Sequence, residues 1–169
     1  ADVQRVSENV RRINPRAAIV RAASPIRLDD EDAVRGRRVL VVEDGPTTTH
    51  GGMAYGAGYV AATRAHAARI VDPRPFAAPG IAAAFAQYPH IGPVLPALGY
   101  NAAQLAALQA TINATPADVV VAATPIDLAA LIEVNKPVVR ARYEFAESGR
   151  PGLAEEIEKF LQRLPAAAR

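Results

Sequence analysis

Val39-Leu40-Val41-Val42 is an unbroken apolar run, and a second one, Val119-Val120-Val121-Ala122, follows Asp118. Short β-branched runs without polar alternation predict strands buried on both faces. Weaker strand patterns fall at 17–22, 69–71, 91–95 (interrupted by Pro93) and 137–143. Between them the pattern becomes helical. Residues 59–68 are alanine-rich and free of breakers, and 81–87 and 126–134 read as short helices. Asn101 caps a helix that carries Leu105, Leu108 and Ile112 on one face. Leu153, Ile157, Phe160, Leu161 and Leu164 mark a last amphipathic helix, and Val3, Val6 and Val10 a first one over 2–13. Asn14-Pro15 stops that first helix, because proline pushes its predecessor out of the helical region. Strands and helices alternate at least four times. The expected fold is α/β: three layers, a mainly parallel sheet and helices on both faces, a Rossmann-like arrangement.

Composition narrows the function more than the fold. At 169 residues and 50% hydrophobic content, the chain suits one domain, or one domain plus a remnant of another. With 19 basic and 17 acidic residues the net charge is +2, too weak a bias to argue for a nucleic-acid partner. The absence of cysteine excludes disulfides, thiolate metal sites and cysteine nucleophiles. No apolar run approaches the roughly 20 residues of a membrane helix. The first 14 residues are charged throughout, unlike a signal peptide, so no membrane partner and a cytoplasmic location are expected. Residues 24–36, with Asp29-Asp30-Glu31-Asp32, read as a linker. This places a leading segment at 1–35, an α/β domain at 36–169, and a frayed tail at 165–169.

Ligands of open α/β sheets bind beyond the carboxyl ends of the strands. The segments there are 43–58, 72–75, 123–127 and the residues after 143. The first carries the strongest signal. Glu43, Asp44 and Gly45 leave the strand, Thr47, Thr48, Thr49 and His50 follow in a row, and Gly51, Gly52, Gly56 and Gly58 precede a helix. Glycines let backbone N–H groups approach an anion, the helix N-terminus adds a favourable dipole, and hydroxyls and imidazole bond phosphate oxygens. The plainer alternative is a long surface loop that needs glycine to turn. Arg74, between two prolines, suits a guanidinium clamp on phosphate or carboxylate, or else a surface ion pair. Asp44 and Asp72 suit a magnesium ion held through water or phosphate, or simple strand-end turns, so no metal site is firm. Thr124 and Asp127 lie on the same edge, where Thr124 also serves as a helix cap.

Other residues carry less. Lys136, one of two lysines, precedes a strand and belongs at the opposite edge. His66 and His90 show no ligand spacing. Gly51 and Gly56 have the glycine spacing of a phosphate-binding P-loop, but no lysine follows. Gly56-x-Gly58-x-x-Ala61 fits the dinucleotide fingerprint, yet residues 43–55 separate it from its strand.

The segments Val41-Val42-Glu43-Asp44-Gly45-Pro46-Thr47, Thr49-His50-Gly51-Gly52-Met53, Tyr55-Gly56-Ala57-Gly58-Tyr59-Val60, Ile70-Val71-Asp72-Pro73-Arg74-Pro75, Tyr88-Pro89-His90-Ile91-Gly92-Pro93, Thr124-Pro125-Ile126-Asp127-Leu128 and Asn135-Lys136-Pro137 carry a family likeness. They resemble the C-terminal half of cyclic 2,3-diphosphoglycerate synthetase and of related P-loop GTPases. The resemblance spans nearly the whole chain. It implies that a P-loop NTPase domain precedes this part, that residues 1–35 hold its remnant and a linker, and that ATP or GTP with magnesium serves the full-length protein. It implies no cofactor for this chain alone. On this reading the chain is the substrate side of an NTP-dependent phosphoryl-transfer or ligase-type enzyme. It binds a phosphorylated small molecule, is inactive by itself, and leaves room for a homo-oligomer. Two other readings stay open: a dinucleotide-type small-ligand domain, and a noncatalytic domain that supports a GTPase.

Overall fold

The computed structural model describes residues 2–99 and 101–164, so the expected frayed tail at 165–169 lies outside the described residues. In chain order the elements are α1 (Asp2–Ile13), β1 (Ala22–Ala23), β2 (Ile26–Leu28), β3 (Arg38–Asp44), α2 (Gly45–Thr48), α3 (Ala57–Arg64), β4 (Arg69–Ile70), a 3-10 turn (Arg74–Phe76), α4 (Pro79–Gln87), β5 (Leu95–Ala97), α5 (Ala102–Ala114), β6 (Val119–Ala123), α6 (Leu128–Leu131), β7 (Val138–Tyr143), β8 (Ala146–Glu147) and α7 (Leu153–Arg163).

The chain forms two compact units. The larger is Ile26–Tyr143; the smaller joins the segments on either side of it. The sequence had suggested a division at 35/36. The difference arises because residues 24–36, read as a linker, contain β2, which pairs antiparallel with β7 and so joins the larger unit. The pairing of β1 with β8 links the two ends of the chain instead.

In the larger unit a six-stranded sheet runs β2-β7-β6-β3-β4, with β5 also on β3. β3 is parallel to β4, β5 and β6, and β6 is parallel to β7. β4 pairs with the start of β3 (Val39↔Ile70) and β5 with its end (Val42↔Leu95), so the two short strands share one side. Val39, Leu40, Val41 and Val42 are fully buried, as are Val120 and Val121 of β6. The two clearest apolar runs of the sequence thus form the middle of the sheet. From β3 the chain crosses to β4 on one side, whereas from β5 it crosses by α5 to β6 on the other. Right-handed crossovers therefore put α3 and α5 on opposite faces. α4 packs on α5, and α3 lies over β3, β6 and β7. The expected α/β architecture, with a mainly parallel sheet flanked by helices, is the one observed.

Some elements differ from their sequence pattern. The run 17–22 contributes only Ala22 to a strand, and that strand lies outside the large sheet. The strand expected at 91–95 sits at Leu95–Ala97 instead, an edge strand that pairs only with the end of β3 and so tolerates Pro96 at its centre. The helix over 59–68 stops at Arg64, and His66, at φ 58, turns the chain toward β4. The helix expected at 126–134 is a single turn.

At the amino edge the Arg38 backbone N–H donates to Asp118 Oδ2 at 2.9 Å and its Nη2 to Oδ1 at 2.6 Å, which fixes β3 against β6. The Arg38 side chain, then its backbone N–H, hold the Asp118 carboxyl down at about 2. An unfolded aspartate titrates near ~3.9. The pair's contribution is therefore complete above that value and is lost as pH falls toward about 2. Thermal melts of wild type and Asp118→Ala should show a Tm gap at pH 7 that narrows between about pH 4 and 2. A gap that stays constant to pH 2 would contradict the assignment.

Candidate functional site

The crossover direction reverses at β3, so the crevice in which open α/β sheets bind ligands is expected beyond the carboxyl ends of β3 and β6. Glu43 and Ala123 are register partners there. Asp44 follows on one side and Thr124 on the other.

Glu43 dominates this crevice. It is almost fully buried at 1% exposure. Its Oε1 accepts from the backbone N–H groups of Gly56 (3.0 Å) and Tyr59 (2.8 Å), and its Oε2 from Gly58 (3.2 Å). The carboxylate thus sits on the N-terminus of α3, where the helix dipole favours negative charge. Burial pushes the Glu43 carboxyl up, the three N–H donors pull it down, and the charge of Asp44 adds to the rise. A Cβ on Gly56 would meet Glu43 Oε2 at 2.7 Å, and one on Gly58 would meet Ala123 Cβ and Val41 Cγ1 at 2.8 Å each. These glycines therefore let α3 approach the sheet and Glu43. The sequence had given their amides to a bound phosphate; in the structure the chain's own carboxylate accepts from them. The amides of Gly56 and Gly58, the glycines of the dinucleotide fingerprint, are taken up by Glu43 in the same way.

β3 runs straight into α2, so the expected loop 43–58 begins as strand and helical turn. Thr47 Oγ1 donates to Asp44 Oδ2 at 3.0 Å. The hydroxyls of Thr48 (3.1 Å) and Thr49 (2.8 Å) both donate to the Gly45 carbonyl. Thr48 and Thr49 are buried, whereas His50, Gly51 and Gly52 are exposed. His50 Nδ1 lies 3.0 Å from Thr49 Oγ1. The same hydroxyl lies 2.8 Å from the Gly45 carbonyl, so Thr49 ties the imidazole to the start of α2. Of the row Thr47–His50, His50 and the half-buried Thr47 thus face outward; Thr48 and Thr49 serve the backbone.

The segment 88–94 closes onto this region, which sequence reasoning missed. His90 Nε2 donates to the Thr48 carbonyl at 2.7 Å, the Gly92 N–H donates to the Ala54 carbonyl at 2.6 Å, and the rings of His50 and Tyr88 lie 6.4 Å apart. A histidine beside a proline gives no sequence signal for a partner 42 residues away.

Arg74 belongs to the same knot. Its Nη1 donates to both Asp72 oxygens and to the Gly92 carbonyl, each at 3.1 Å, and Nη2 donates to the Ile91 carbonyl. The guanidinium also stands 4.7 Å over the Phe85 ring. The expected free clamp for an anion is therefore a brace between the 3-10 turn and segment 88–94. Asp72 is its counter-ion, while Asp44 is occupied with Thr47. Among the described residues no three acidic, histidine or cysteine side chains gather as a metal site. Across the crevice Thr124 is buried and accepts from the Ile126 N–H at 3.4 Å, while exposed Asp127 lies 3.7 Å from Arg140.

Lys136 lies away from these groups, as its position before β7 requires. Its Nζ donates to the carbonyls of Ile112 (3.1 Å) and Asn113 (3.0 Å) and to Asn135 Oδ1 (2.6 Å), closing the end of α5. An open groove of about 740 Å³ beside it is lined by α6, Gln109 and Lys136. Its ammonium already serves the helix, so the groove offers less chemistry than the crevice at the other edge.

Comparison with known proteins finds a chain 50% identical over 159 residues, the Arginine synthetase ArcE of Thermococcus kodakarensis. The match covers 94% of this chain and 36% of that protein, so the chain spans about a third of the relative's length. No family model matches, and no solved structure does.

Replacing Glu43 with alanine should destabilise the fold by about 2–4 kcal/mol, because three buried N–H groups lose their acceptor. Urea titration of Glu43→Ala and Glu43→Gln should show a much smaller loss for glutamine, which keeps one oxygen acceptor. Arg74→Ala should lose about 1–2 kcal/mol, a fall in Tm of roughly 4 °C, since carbonyls 91 and 92 lose their donor. An unchanged melting temperature would return Arg74 to the role of an exposed, available cation.

Proposed function

We propose that this chain is the substrate-side part of an NTP-dependent synthetase. The carrying observation is the 50% identity with a protein named an arginine synthetase. The resemblance to cyclic 2,3-diphosphoglycerate synthetase supports the same class: both names describe the making of a bond at the expense of activation. On this reading a phosphoryl group supplied by a preceding P-loop NTPase domain activates a small substrate. Arginine or its immediate precursor is the first candidate, and a phosphorylated acid the second. The crevice beyond β3 and β6 would receive it, with Thr47, His50, Gly51 and Gly52 as its accessible polar rim. ATP or GTP with magnesium would be bound by the other domain, since this chain lacks a P-loop lysine.

The smaller unit supports a partner domain. Val3, Val6 and Ile13 of α1 are 59–78% exposed, and Ile157, Phe160 and Leu161 of α7 are 47–61% exposed. Apolar faces of this kind mark interaction surfaces. We read them as covered by the NTPase domain.

The full-length protein, given magnesium and ATP or GTP, should release nucleoside diphosphate only when an acceptor is present, at about 1 s⁻¹ or faster. Mass spectrometry should identify the product, with arginine and its precursors tried before phosphorylated acids. The 169-residue chain alone should show no turnover. Turnover by the isolated chain, or acceptor-independent hydrolysis by the whole protein, would refute the reading.

A further inference from the structure

The larger unit neutralises its site cations internally, but the smaller unit does not. Arg11 at the end of α1, Arg21 before β1, and Arg150 between β8 and α7 line one groove of about 470 Å³. Its remaining walls are Pro15, Ala17, Ala18, Ile19 and Pro151, so no carboxylate lines it. All three arginines are exposed, and none forms an ion pair or side-chain hydrogen bond among the described residues. Arg150 is felt weakly by Glu155, whose main partner is Lys159. The other acid nearby in sequence, Glu147, is turned to the start of α7, where Oε1 accepts from the Leu153 N–H at 2.7 Å.

Three like charges around one opening repel each other unless an anion joins them. A single carboxylate occupies one guanidinium fork, whereas a phosphoryl group presents three oxygens and more than one charge. The volume falls within the range of small-molecule sites. The apolar floor formed by Ala17, Ala18 and Ile19 leaves room for an uncharged organic part.

We propose that this groove is an anion site for a di- or polyphosphate group, separate from the crevice beyond β3 and β6. It does not depend on the synthetase reading, because it rests on the smaller unit alone. The assembly of the site explains why arginines from both ends of the chain are used. The β1–β8 pairing joins Ala22 to Glu147 in register, so Arg21 and Arg150 flank one small sheet.

The probe is inorganic pyrophosphate, titrated calorimetrically into the 169-residue chain at low salt. Saturable one-to-one binding with Kd below about 1 mM is expected, weakening steeply with added salt. Arg21→Gln and Arg150→Gln should each weaken it about tenfold, and the triple variant with Arg11→Gln should abolish it. Arg35→Gln, an arginine outside the groove, should bind as wild type does. Tricarballylate, a carboxylate of similar charge, should bind at least about tenfold more weakly. Because the three arginines have no internal partner, their variants should keep the wild-type Tm. Absence of saturable binding, equal binding by the triple variant, equal affinity for the tricarboxylate, or unfolding of the single variants would overturn the proposal.

Discussion

The buried Glu43 carboxylate holds the carboxyl edge of the central sheet together. It stands at the end of the central strand, where the crossover direction reverses, and receives the first amides of α3. Three N–H donors keep a charged oxygen pair tolerable where burial opposes it. The position of α3 follows from this, and the glycines at 56 and 58 follow in turn, since a side chain at either would separate helix and carboxylate.

Around that anchor the carboxyl-edge segments brace one another. Arg74 ties the residues after β4 to carbonyls 91 and 92, and His90 ties the same segment to α2. Loop backbone carries carbonyls that need donors, and here side chains supply them. The consequence is a crevice whose charged groups are largely spent on architecture. The groups left accessible there are the exposed imidazole of His50 and the half-buried Thr47. Among the described residues, cations without ion-pair partners stand in the smaller unit instead.

Sequence alone determined the α/β architecture. Apolar runs such as 39–42 and 119–122 can be satisfied only inside a sheet covered on both faces, and helical patterns between them require parallel crossovers. It also determined that Lys136 lies away from the crevice, because alternation of strand and helix fixes the edge at which each segment emerges. Tertiary structure decided the partners. No local pattern distinguishes a glycine that admits a ligand from one that admits Glu43, or an arginine that clamps substrate from one that meets carbonyls 17 and 18 residues on. The short strand β2 was hidden in an acidic linker for the same reason: three residues become a strand only because β7 offers an open edge. Periodicity is local and survives in the sequence, whereas hydrogen-bond pairing across the chain exists only once the segments have met.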